Sequence, residues 1–62
     1  MWLVYLDYEY HRTIDEHSRL FHSKKEAKIY AKRMNRKLAK LNDCRVRDMA
    51  DCYAVIFIPA VT

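Results

Sequence analysis

Residues 2–11 (WLVYLDYEYH) alternate between two sides, with Trp2, Val4, Leu6, Tyr8 and Tyr10 at the even positions forming one nearly apolar row. The odd positions, Leu3, Tyr5, Asp7, Glu9 and His11, turn polar toward the end of the run. A period of two built from aromatic and β-branched residues predicts a strand with its even side on the core. Arg12–His17 (RTIDEH) breaks the alternation and reads as a connection, after which Ser18–Phe21 (SRLF) is a short second strand antiparallel to the first. That connection holds neither glycine nor proline, so a longer loop is expected rather than a tight two-residue hairpin.

The period then changes. Ser23-Lys24-Lys25-Glu26 fits the capping box, in which the serine oxygen accepts from the third amide and the glutamate reaches back. Ala27, Tyr30, Ala31, Met34, Leu38 and Leu41 follow at three- and four-residue spacing, which gathers them into a single stripe on a helix over Ser23–Leu41. Asn42-Asp43 supplies the stop. Cys44–Arg47 (CRVR) and Cys52–Ile58 (CYAVIFI) read as two more strands, the second apolar on both faces and therefore expected in the sheet interior or under a partner. Pro59 ends it.

The expected fold is α+β: one domain over residues 1–62, a small antiparallel sheet of three to four strands with one amphipathic helix on one face, in β-β-α-β-β order. One helix covers one face. Leu3, Tyr5 and Phe57 are placed on the other, where an apolar patch would mark a protein interface, most simply a homodimer.

Charge changes the picture of the helix. Between Lys24 and Lys40 lie eight lysines and arginines against the single acid Glu26, a net of +7. Elsewhere four arginines stand against seven acids, a net of −3. Like charges at i,i+4, such as Lys28–Lys32 and Lys32–Arg36, cost a few tenths of a kcal/mol each. A solvated face is the ordinary explanation of basic helix residues, whose stems also cover apolar neighbours. The near-absence of compensating acids favours a polyanion as partner. Lys25, Lys28, Lys32, Arg33, Arg36 and Lys40 are the candidate contacts, with Ile29 an apolar residue among them.

Composition removes other functions. There is no glycine, so phosphate-cradling loops, dinucleotide fingerprints and nucleophile elbows have no place here, and nucleotide-dependent catalysis is close to excluded. His11, His17 and His22 with Asp15 and Glu16 match no familiar zinc spacing, so no metal and no cofactor is expected. Asp15-Glu16-His17 could be drawn as an acid–base cluster, but loop neighbours lack the desolvated setting that tunes pKa values, and no enzyme is expected. Met1–Leu6 is far too short for a membrane span and no basic segment precedes it, so a cytoplasmic protein with no membrane partner is expected. In a hairpin centred on Asp48, Cys44 and Cys52 would face each other, somewhat too far apart for a disulfide; they are read as reduced, half-buried thiols.

The stretch SRLFHSKKEAKIYA resembles the strand-then-helix entry of integrase arm-type DNA-binding domains, over about a quarter of the chain. In that family three strands precede the helix, where two are read here. The resemblance implies DNA binding. Two functions are left open: non-specific binding of a nucleic-acid backbone through the basic helix, or docking on an acidic protein. The second would make the chain an inhibitor or adaptor of the kind phages and mobile elements encode, acting through the basic face or the uncovered sheet. Neither the stacking pattern of single-strand binders nor a helix-turn-helix is present.

Overall fold

The structure is a computed structural model that describes residues 1–59. Strand β1 (Trp2–Tyr8) is followed by β2 (His11–Thr13), β3 (Arg19–Phe21), helix α1 (Lys24–Leu41), a single 3₁₀ turn (Val46–Asp48) and β4 (Cys52–Phe57). The expected α+β class, with one helix on a four-stranded antiparallel sheet, is what forms. The distribution along the chain differs, because three strands precede the helix and one follows it.

All the pairing runs through β1. It pairs antiparallel with β2 at Leu6–Tyr8, with β3 at Trp2–Val4, and with β4 from Trp2 to Asp7. Since β4 overlaps both short strands, β2 and β3 must share the opposite edge of β1, lying end to end. The layout is three rows wide, with β1 central and β4 on an edge. Of the two placements expected for Cys52–Ile58, in the sheet interior or under a partner, the first is thereby corrected. Its two-sided apolarity has another cause: Tyr53 and Val55 face the helix, while Ala54 and Ile56 lie on the bare face.

The first connection also corrects the sequence reading. Tyr8 pairs with His11, leaving a two-residue turn of Glu9 and Tyr10 with φ of 48° and 67°. Positive φ at both central residues is the type I′ geometry that follows the right-handed strand twist, and it normally recruits asparagine and glycine. Here the pairing of Leu6–Tyr8 with His11–Thr13 holds two unsuited residues in place, helped by a 3.3 Å bond from the Glu9 N–H to Asp51 Oδ1. Residues 2–11, whose alternation predicts one strand, are therefore a strand, a turn and the start of the next strand.

The helix begins as its cap dictates: Ser23 is extended, and its Oγ accepts from the Glu26 N–H at 3.3 Å. The reciprocal bond, in which the Ser23 N–H would donate to the Glu26 carboxylate, is not made among the described residues. Ala27, Ala31 and Met34 sink onto Val4 and Tyr53, with Trp2, Leu6, Phe21, Tyr30, Leu38 and Val55 packed around them. Alanines at the contact let the helix axis approach the sheet closely; Val4 and Ala27 are both fully buried. Leu41 departs from the expected stripe and is 84% exposed. The last turn meets the 3₁₀ turn instead, and there Ala39 is the buried residue.

Cys44–Arg47 forms no strand. Asp43 has φ 49°, the Cys44 N–H bonds to the Ala39 carbonyl at 3.0 Å, and the chain enters the 3₁₀ turn. No strand lies beside CRVR for it to pair with, so its alternation has nothing to act on. Cys44 and Cys52 are free thiols and do not face each other across a ladder.

Candidate functional site

Helix geometry sets the candidate site. The stripe that sinks Ala27, Ala31 and Met34 turns Lys25, Lys28, Lys32, Arg33, Arg36 and Lys40 outward, and each of them is exposed. Ile29, 52% exposed, lies among them. Lys28 and Lys32 stand on the flank beside β4, while Arg33 stands on the flank beside Phe21 and Tyr30. Lys24 is set apart: its ammonium sits 5.1 Å over the Trp2 ring and closes the open end of the core. Among the described residues no lysine or arginine of the helix lies within 4.0 Å of a carboxylate oxygen; the sole ion pair is His17 with Glu16, at 3.4 Å. Six cations on one face are thus uncompensated among the described residues, and they can attract phosphates or carboxylates from outside.

The second candidate surface is the sheet face turned away from the helix. Leu3 and Tyr5 lie there with Leu20, Ala54 and Ile56, as cross-strand pairing requires. Tyr5 is already 9% exposed, with the Arg12 guanidinium 5.9 Å from its ring, whereas Leu20 is 54% exposed. Phe57 does not belong to this face. It pairs with Trp2 and meets its ring edge-on at 5.1 Å on the helix side.

The loop expected to carry little chemistry is a structural joint. Asp15 accepts from the Tyr53 hydroxyl at 2.6 Å, from Ser18 Oγ at 3.1 Å and from the His17 N–H at 3.0 Å. Burial raises the Asp15 pKa, but these donors outweigh it and hold the carboxyl below its usual range. Burial, and then the neighbouring carboxylate, push the Tyr53 phenol well above its ordinary value. The Tyr30 hydroxyl also donates into this loop, to the His17 carbonyl at 2.7 Å. The carboxylate is occupied in holding the loop to β4 and is not free to act as a base. His11 and His22 are exposed, and no cluster of three metal-ligating side chains forms among the described residues.

Asn35 is the contact that sequence reasoning passed over. Its amide nitrogen donates to the Tyr53 carbonyl at 3.0 Å, and its oxygen accepts from the Tyr53 N–H at 2.6 Å. An asparagine flanking the apolar stripe of a sheet-packed helix was the available signal, since a short amide there can reach an edge strand. Within the described residues no helix is long and apolar enough to cross a membrane.

No protein-family model, no curated protein and no solved structure matches this chain.

Proposed function

We propose that this chain is a non-catalytic binding protein that contacts the backbone of nucleic acid through the outer face of α1, without reading bases. One observation carries the proposal: Lys25, Lys28, Lys32, Arg33, Arg36 and Lys40 share a solvent-facing surface with no carboxylate within ion-pair distance of any of them among the described residues. Such a face draws in phosphates and releases their counterions, and Ile29 offers an apolar contact to a sugar. The residue set, four lysines and two arginines, is that of a positioning surface on which cations meet phosphates. The free thiols suit a cytoplasmic setting.

A mobility shift on generic DNA and RNA over a salt series tests this. Six phosphate contacts give a slope of log affinity against log salt of about −5 on duplex DNA. The Lys28→Glu, Lys32→Glu, Arg36→Glu variant should lose binding while keeping its helical circular dichroism. Absence of a shift at about 50 mM salt, where this term is strong, would overturn the proposal. The rival reading is an acidic protein partner. It is favoured by the bare sheet face around Leu3 and Leu20, and light scattering would show whether a second copy covers that face.

A further inference from the structure

The outer edge of β4 has a structure of its own. The Ile58 N–H donates to the Met1 carbonyl and the Met1 nitrogen donates to the Ile58 carbonyl, both at 2.8 Å, so Ile58 is a bonded partner of the first row. In an antiparallel ladder such partners alternate. Ile56, Ala54 and Cys52 therefore bond to β1, and Tyr53, Val55 and Phe57 direct their N–H and C=O groups away from the sheet. The Tyr53 pair is taken by the Asn35 amide, which fills the place an adjoining strand would occupy. The pairs of Val55 and Phe57 have no partner among the described residues. Beside them, between α1 and β4, runs an open groove of about 490 Å³, with Lys28, Ile29 and Lys32 on the helix side and Ala54 and Val55 on the strand side.

Edge strands are commonly blunted by lysine, proline or a bulge. The sequence CYAVIF has none of these between Asn35's contact and Pro59. We infer that the Val55–Phe57 edge is a docking site for an extended acidic segment of a partner protein. The segment adds as a further strand, with carboxylates on its helix-side positions facing Lys28 and Lys32. Strand addition takes its affinity from main-chain bonds and its selectivity from alternate side chains. Here the selecting groups are two unpaired lysines. A second copy is a poor occupant, because pairing β4 with itself brings the Lys28 and Lys32 of both copies to one groove. The inference goes beyond the nucleic-acid reading: it concerns the strand edge, and main-chain pairing is something a phosphate backbone cannot supply.

The test uses a fluorescein-labelled eight-residue peptide alternating valine and glutamate, followed by anisotropy, with amide exchange of the protein read by NMR. Binding should slow exchange at Val55 and Phe57 and leave Tyr53 unchanged. Methylating the peptide's alternate backbone nitrogens should weaken binding at least tenfold, as should Lys28→Glu with Lys32→Glu. Equal binding by the methylated peptide would reduce the effect to charge attraction and overturn the inference. So would equal binding by a valine–lysine peptide, or no binding by the glutamate peptide at millimolar concentration. Concentration-dependent protection of Val55 and Phe57 without peptide would assign the edge to a second copy, and protection by duplex DNA would assign it to nucleic acid. Either result also overturns it.

Discussion

The Tyr53 hydroxyl donates to Asp15 Oδ2 at 2.6 Å, joining the loop before β3 to the start of β4. Tyr53 is 7% exposed and also sits in the core, so one side chain packs the helix and ties down a polar loop. A hydrogen bond to a charged group contributes roughly 1.5–3 kcal/mol, and the lower end applies because Asp15 is partly exposed.

Tyr53→Phe should therefore destabilise the protein by about 1.5 kcal/mol at neutral pH. The pH dependence follows from two shifts of opposite sign. Asp15 has a lowered pKa in the fold, so its contribution is complete above the unfolded carboxyl value of about 4 and is lost as pH falls through the folded one. Tyr53 has a raised pKa, so its contribution is complete below about 10 and is lost as pH rises beyond it. Melting temperatures of wild type and variant should differ most between these limits and converge outside them. A gap that stayed constant from pH 3 to 11 would contradict this.

Asn35→Leu keeps the branched shape of the side chain and removes both bonds to Tyr53. Leaving a partly buried N–H and C=O without partners costs roughly 1–3 kcal/mol. Urea unfolding should show that loss, and hydrogen exchange should quicken at the Tyr53 amide before that of Ala54, which bonds to β1.

At the hairpin, replacing Tyr10 with glycine relieves a residue held at φ 67°. The left-handed region costs a side-chain-bearing residue about 1–2 kcal/mol, part of which the greater freedom of unfolded glycine offsets. A net gain of about 0.5–1 kcal/mol is expected, or a few degrees of melting temperature for a chain this small. Tyr10 is fully exposed, so its ring contributes no core contact that would mask the gain.

Ala27→Leu tests how closely the helix lies on the sheet. Ala27 has no exposed surface and packs in one cluster with Val4, so the larger side chain must lift the helix or distort its rotamers. Overpacking of this kind costs about 1–3 kcal/mol, measurable by thermal denaturation.

What could be read in advance was what is decided locally. Ser23, Glu26 and the spacing of Ala27, Ala31 and Met34 act within one or two turns, and they produced the helix where it was expected. Glu9 and Tyr10 carry no local turn signal; their conformation is imposed by the pairing of Leu6–Tyr8 with His11–Thr13. Cys44–Arg47 shows the converse, a strand-like pattern with no neighbour to complete it. Of the candidate site, the basic face was legible because charge and helical period are both sequence properties. The free edge at Val55 and Phe57 was not, since which side of β4 lacks a neighbour depends on β2 and β3 sharing the far side of β1.

The hub role of β1 has a temporal side. β1 is synthesised before every strand that must align against it, yet its longest pairing closes across a separation of 57 residues, from Met1 to Ile58. Until that stretch exists, Trp2, Val4 and Leu6 can be sheltered by β3 and the helix alone. During synthesis the protein passes through a stage in which its central strand waits, half-clothed, for its last partner.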